Sequence, residues 1–346
     1  MLPQSNELSI DYGEKEVRRD RSPVVYPLHD LHPPEAALKT FITFDGATIA
    51  YHDEGQGSPV ILLHGYGVDG LGQFGNFERI LPLLEKRQTL FIEAFGGAPP
   101  VPDPPVDGRG GLIPPLLAAK ARAILPDMRG FGASSKPRDA AAYADWAMAR
   151  DVIALIAHLH LEAVDVVGFS MGAGTAARLI VLQPPEVKSA ILAGIGDYAI
   201  EGSVLEFPKN WPLPEHLPKP LTHRIWAEEG AKVLEQGEII PGHLASAHVI
   251  AARVTGADPK VLAAVIRGAV ADQMTAEQLN RIRVPVLVLN GKADVANQQT
   301  ARLLQEISSA CLGECDGDHH STPYQPSFHQ AVVGFLEAQW RQRLEA

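Results

Sequence analysis

The pattern of apolar and polar positions changes character near Thr40. Upstream of it, residues 1 to about 38 are polar and charged and carry Pro23, Pro27, Pro33 and Pro34. Such a segment cannot bury a core of its own, and it is expected to drape over the domain as an N-terminal extension. From Thr40, "TFITFDGATIAYHDEG" holds two short β-rich runs around the turn signal Asp45-Gly46, which predicts a hairpin. "SPVILLHGYG" follows, and its unbroken apolar run from Val60 to Leu63 suits a strand covered on both faces. Further strands are expected at "ARAILPD", "VDVVGF", "VKSAILAG", "VPVLVLN" and, more weakly, "SSACLGE". Helical spacing fills about 140–160, 171–183, 296–308 and 325–344.

Strand and helix in alternation imply an α/β fold, a mostly parallel sheet with helices on both faces. In such sheets the chemistry gathers at the carboxyl ends of the strands. Two segments break the rhythm. One, about 85–112, is dense in proline and glycine, which is expected to exclude regular structure across its middle. Two helix-like stretches flank it, "FERILPLLEK" and "LIPPLLAAK", and the second runs directly into the next strand. That spacing favours "LIPPLLAAK" as the helix between the strands and puts residues 68–112 along the pocket wall. The other segment, 198–275, reads as an inserted, mainly helical cap. The expected organisation is thus an extension over 1–38, a core over 39–197 and 276–346, and a cap between them.

Composition narrows the function. Of 346 residues 46% are hydrophobic and 21% charged, so the chain can bury a large core. A formal net charge of -11, with no compensating run of Lys or Arg, argues against nucleic acid and favours a neutral or weakly charged small molecule. No apolar run is long enough for a membrane span, and the first residues lack the apolar stretch of a secretory signal, so a cytoplasmic protein is expected. Cys311 and Cys315 fit neither a disulfide framework nor a zinc site and read as ordinary thiols.

The stretch "VVGFSMGAG" places Ser170 between Gly168 and Gly172, at the end of a strand and the start of a helix. In that setting the turn is tight enough to strain the serine backbone, and glycines are needed where strand and helix pass closely. An exposed serine becomes a nucleophile only if a base takes its proton and donors await the oxyanion. Candidate donors are the amides of Tyr66, in "HGYG" after a neighbouring strand, and Met171, at a helix N-terminus. Candidate bases are His319 and His320 in "CDGDHHSTP" after the last strand, and the candidate acid is Asp294 in "VLVLNGKADVAN". Asp197 after the strand "VKSAILAG" is an alternative acid. His64 reads as a part of the oxyanion turn. Asp316, Asp318, His319 and His320 fall in one short loop, too few directions for a catalytic metal, and no glycine pattern for a nucleotide follows any strand. Neither metal nor cofactor is therefore expected.

On "HGYG", "DMRGFGASS", "GFSMG", "GKAD" and "GDHHS", the sequence from about Thr40 onward resembles the α/β-hydrolase fold superfamily, as a capped, esterase-like serine hydrolase. The resemblance implies Ser170 as nucleophile, His319 rather than His320 as base, Asp294 as acid, and the Tyr66 and Met171 amides as the oxyanion hole, in the family's chain order. "DMRGFGASS" would be a structural turn beneath the site. Trp211, Trp226 and Phe207 of the cap are candidate substrate contacts. The expected activity is hydrolysis of a carboxylic ester or related acyl compound. Carbon-carbon bond hydrolysis, lactonase or cofactor-free perhydrolase chemistry shares the same residues, and a small-molecule receptor with little turnover is a reading from another class. Oligomeric state is not legible.

Overall fold

The structure, a computed structural model, describes residues 38–75, 77–96, 111–207, 213–270 and 272–345. The expected N-terminal extension therefore lies outside the described residues. Eight strands form one sheet in the order β1-β2-β4-β3-β5-β6-β7-β8. They are β1 (Lys39–Ile42), β2 (Thr48–Gly55), β3 (Ser58–Leu63), β4 (Ala121–Pro126), β5 (Val164–Phe169), β6 (Val187–Ala193), β7 (Val286–Gly291) and β8 (Ala310–Cys315). The hairpin β1-β2 runs antiparallel and joins β4 antiparallel, while the remaining pairs are parallel. The unbroken apolar runs of the sequence are the central strands: every residue of β5 and β7 is buried. From β3 the chain moves outward to β4 on one side, and from β5 to β6 on the other. β3 and β5 thus flank the point where strand order reverses, where a crevice opens beyond the strand ends.

Helices packed on and beside the sheet carry this frame. α4 (Ala147–His158) and α5 (Met171–Val181) pack together, α5 directly over β5 and β6. α11 (Pro326–Glu345) crosses the sheet near β8 and β6. Its last turns are tied down by Asp165, buried in β5, which accepts from Arg343 at 2.6 and 2.9 Å and from Trp340 Nε1 at 2.7 Å.

Both helix-like stretches around the proline-rich segment are helical. α2 (Phe77–Phe95) runs further than its sequence suggests, and α3 (Ile113–Ala118) leads into β4 after α1 (Gly70–Phe74). The first part of the 85–112 segment is thus still helix, where Phe91 and Phe95 fall one turn apart and pack with Ile250 and Val254 of α7 (Ser246–Thr255). The proline-dense centre, 97–110, lies outside the described residues.

Between β6 and β7 the chain forms α6 (His223–Gln236), α7 and α8 (Pro259–Val265), before the short α9 (Ala276–Leu279). Their limits have the expected local chemistry: Thr222 caps α6 through the Ile225 amide, Gly237 ends it with φ 71°, and Asp258 followed by Pro259 starts α8. Ala227, Val249, Leu262 and Ile266 from this excursion share one apolar cluster with Ile61, Val166 and Leu192 of the sheet. α10 (Ala301–Glu306) separates β7 from β8.

The turn after β4, "DMRGFGASS", holds the sheet to its hairpin. Arg129 is buried and reaches both Asp151 oxygens at 2.6 Å, Asp45 at 2.7 and 3.1 Å, and the Ala142 carbonyl at 2.6 Å. The Arg129→Met variant leaves Asp151 buried without its partner, a loss of about 3–5 kcal/mol by the usual cost of breaking a buried pair. Urea unfolding is expected to show that drop, and a loss under 1 kcal/mol would contradict it.

Candidate active site

Ser170 sits at φ 56° and ψ -116°, in the left-handed half of backbone space that a side chain occupies only under strain. The neighbours enforce it. A Cβ on Gly168 would stand 2.2 Å from the Gly172 carbonyl oxygen, and one on Gly172 2.0 Å from that of Leu63. Strand β5 and helix α5 are therefore pressed backbone to backbone, and Ser170 projects above the sheet at the strand-order reversal. Its own amide donates to the Ala193 carbonyl at 2.8 Å, which joins the turn to β6.

A second turn meets it from β3. His64 is fully buried; its Nδ1 donates to the Gly65 carbonyl at 2.8 Å and its Nε2 accepts the Met128 amide at 2.9 Å. This ring is neutral and bolts the turn to "DMRGFGASS", consistent with burial lowering its pKa below the ordinary 6.5. The Gly65 amide is occupied by Gln73 Oε1 at 3.2 Å. The Tyr66 amide has no partner among the described residues, and that of Met171, first in its helix, has no intrahelical acceptor. Both residues line the cavity with Ser170. The Tyr66 hydroxyl also lacks a partner and is buried, which holds the phenol well above its usual pKa.

From the far side of the sheet come the imidazole and the carboxylate. His319 Nε2 lies 3.0 Å from Ser170 Oγ, and Nδ1 lies 2.8 Å from Asp294 Oδ2. With the ring proton on Nδ1, the serine hydroxyl donates to Nε2 and Nδ1 donates to the carboxylate. Asp294 is 2% exposed. Burial pushes its pKa up, but the facing imidazole and the bonds from His319 and Asn297 outweigh that, and the net shift is downward. Burial likewise pulls His319 down, and the Asp294 charge and hydrogen bond outweigh it, leaving the imidazole above 6.5.

Asn297 is a participant that spacing alone did not single out. Its Nδ2 donates to both Asp294 oxygens, at 2.9 and 2.8 Å, and lies 2.9 Å from His319 Nδ1. Since Nδ1 carries a proton, the amide and the ring are two donors converging on one carboxylate. Asn290 holds this loop in turn, donating to the carbonyls of Asn297 at 2.6 Å and Ile195 at 2.9 Å. An asparagine three residues beyond the candidate acid, in "DVAN", was the available signal.

The other candidates separate cleanly. Asp197 accepts the Arg302 and Leu303 amides at 3.1 and 2.9 Å and so caps α10 instead of meeting His319. His320 stands edge-on to His319 at 5.4 Å between centroids and makes no bond to Ser170. Asp318 secures the loop by accepting the His320 and Ser321 amides, each at 2.9 Å, and Asp316 faces Lys292 at 3.3 Å. Among the described residues no group of three or more His, Cys, Asp or Glu side chains converges as a metal site. Above the serine lies a cavity of about 430 Å³. Phe207 and Trp226, with ring centroids 5.2 Å apart, form part of its wall, as do Leu83 and Phe91 of α2. Trp211 lies outside the described residues. No helix among the described residues is long and apolar enough to cross a membrane.

The sequence profile of the alpha/beta hydrolase fold family matches residues 58–218. A 2-hydroxymuconate semialdehyde hydrolase of Pseudomonas sp. (strain CF600) is 29% identical over 144 residues, which cover 41% of this chain and 38% of that protein. The match thus spans well under half of that relative's length. Among solved structures, an esterase from Exiguobacterium antarcticum superposes with a TM-score of 0.58 at 21% identity, over 86% of this chain and 98% of that one. A bromoperoxidase from Bacillus anthracis does so with a TM-score of 0.56 at 21% identity, over 86% and 100%. At that identity the solved structures speak for the fold alone. Residues 58–218 thus match the α/β-hydrolase fold family, and the described residues share the fold of both solved structures.

Proposed function

We propose that this protein is a serine hydrolase that cleaves a carboxylic ester or related acyl compound through an acyl-enzyme. The observation that carries the reading is the unbroken chain from Ser170 Oγ through His319 to Asp294, at 3.0 and 2.8 Å. In the first half-reaction Ser170 Oγ adds to the substrate carbonyl carbon while its proton passes to His319 Nε2. The carbonyl oxygen, now carrying the charge, is received by the Tyr66 and Met171 amides. Collapse breaks the bond to the leaving group, which takes the proton from Nε2. Water, deprotonated by the same nitrogen, then releases the acid and restores the hydroxyl. Asp294, held by Asn297, keeps Nδ1 protonated so that Nε2 stays free to accept. No cofactor is required by these steps. The excursion over 198–275 serves as the cap, with Phe207 and Trp226 shaping the acyl or alcohol site.

The similarity to a semialdehyde hydrolase supports a second reading, in which the same serine cleaves a carbon-carbon bond next to a ketone. Esters and vinylogous diketones assayed side by side separate the two, since only the second reading expects the diketone to be the better substrate.

A fluorophosphonate probe is expected to label wild-type protein and to leave Ser170→Ala unlabelled. Equal labelling of both would end the serine reading. The rate should fall as pH drops through the His319 pKa, because the protonated imidazole cannot accept the hydroxyl proton. Since that pKa is raised, the acid limb of kcat/KM is expected above 6.5. Asp294→Asn should lower kcat and move the limb to more acidic pH, and a limb below 6 in the wild type would contradict the electrostatics. Asn297→Ala, which removes donors to a charged group, should lower kcat about tenfold. A parallel shift in the acid limb distinguishes loss of positioning from general damage.

A further inference from the structure

Helix α5 continues from Ser170 with a stripe that faces the cavity: Met171, Gly174, Thr175 and Arg178. Positions three and four apart on a helix share a face, and side chains lean toward its N-terminus, so Arg178 reaches back toward the serine. A Cβ on Gly174 would lie 2.9 Å from Arg178 Nη1, which places the guanidinium over Gly174. That is one turn from Ser170, roughly 6 Å along the axis.

Arg178 is 9% exposed, yet no carboxylate among the described residues comes within ion-pair distance of it. One Nη donates to the main-chain carbonyl of Asp272, and Nε has no partner among the described residues. The Asp272 carboxylate acts on it only at longer range. The other acids along the cavity are engaged elsewhere: Asp197 by two amides, Glu206 by Gln299 at 2.8 Å. Beside the guanidinium stand Tyr198 and His223, tilted against each other with ring centroids 4.8 Å apart, and His223 Nδ1 is also buried without a partner among the described residues. Burial and the nearby guanidinium lower the His223 pKa to about 4, so the ring is neutral and offers an N–H. A buried guanidinium with open donors, walled by neutral polar rings on the face that leads to the nucleophile, lacks the anion that buried cations otherwise have.

We propose that Arg178, with His223 beside it, is an anion subsite, and that the substrate is an acyl compound bearing a carboxylate about one helical turn from the scissile carbonyl. The planar fork of arginine matches a carboxylate in paired hydrogen bonds. The inference rests on the hydrolase reading for the reacting end of the substrate, but the subsite itself does not need turnover. It also refines the sequence reading, since a net charge of -11 disfavours anions only at the surface, while this charge is inside.

The test pairs p-nitrophenyl hydrogen adipate with p-nitrophenyl heptanoate, a neutral ester of similar length. In the wild type kcat/KM is expected to favour the anionic ester by about tenfold or more, mainly through KM, the worth of a charge-assisted hydrogen bond. Arg178→Met should cut the anionic-to-neutral ratio by about 10- to 100-fold, with Arg178→Lys between the two. A wild-type ratio of one or less, which needs no variant to fold, overturns the proposal, as does a ratio unchanged in Arg178→Met. Binding of monomethyl adipate to Ser170→Ala protein, followed by calorimetry, separates the two readings. If the half-ester binds and loses affinity with Arg178→Met while Ser170 takes no fluorophosphonate, the subsite stands and the hydrolase reading falls. If Ser170 is labelled and neutral esters turn over but the half-ester does not bind, the subsite falls alone.

Discussion

The chemistry of this molecule depends on how closely two backbones pass at the base of Ser170. The Gly168 and Gly172 positions stand about 2 Å from carbonyl oxygens where any Cβ would be, and Ser170 is held at φ 56° between them. A strained residue persists only when the surrounding structure over-determines it. Here that structure is the fully buried strand β5 with its largely buried neighbours β3 and β6, packed against α5. One consequence is positional. The same turn that strains the serine sets the Met171 amide at a helix start, where its N–H is unpaired and the helix dipole favours negative charge. The candidate nucleophile and one candidate oxyanion donor are thus a single structural event.

The other components are brought to that point by loops fixed from below. His64 spends both ring nitrogens on the backbone, tying the Tyr66 turn to the turn after β4, which Arg129 anchors to the hairpin and to α4. On the opposite side, Asn290 and Asn297 hold the Asp294 loop, and Asp318 holds the His319 loop. The polar groups nearest the reaction are therefore neutral donors and one carboxylate, each with a fixed direction. That arrangement lets Asp294, which is buried, raise the pKa of the half-buried imidazole, because attraction between the pair exceeds the cost of desolvation.

Much of this was legible in the sequence, for identifiable reasons. Buried parallel strands write themselves as unbroken apolar runs, and Val60 to Leu63 or Val164 to Phe169 needed no partner to be seen. Ser170 was marked by its glycines, and the candidate acid and bases by their places after strands. What was hidden depended on side-chain direction. His319 and His320 are adjacent in sequence, and only the fold turns the first toward Ser170. Asp197, the alternative acid, also follows a strand, and only the fold shows that it is taken up by the first amides of α10. Asn297 stands three residues after Asp294, but only the fold shows that its amide donates to that carboxylate. Arg178 did leave a trace, as the lone charge between Asp165 and Glu186, but in sequence that resembles the solvated edge of a helix. The extent of α2 was obscured because the proline-dense stretch drew attention away from the apolar pair Phe91 and Phe95.

The cavity is roofed unequally, and the inequality has a physical origin. The α6 and α8 side shares one continuous apolar cluster with the sheet, and at Gly268, just past α8, an added Cβ would stand 2.3 Å from the Ala140 carbonyl oxygen. Backbone contact of that kind leaves no room for sliding. The opposite side, where α2 meets α7, rests on a small separate cluster of Phe91, Ala94, Phe95, Ile250 and Val254. Local opening follows the least buried apolar contact, so separation costs less there than at α8. Leu83, Leu84 and Phe91 of α2 line the cavity from that weaker side, whereas Arg178, Tyr198 and His223 line it from the side fused to the core. Arg178, Tyr198 and His223 are thus on the wall fused to the core, while the wall that parts more easily is mainly apolar, with Arg87 its charged member.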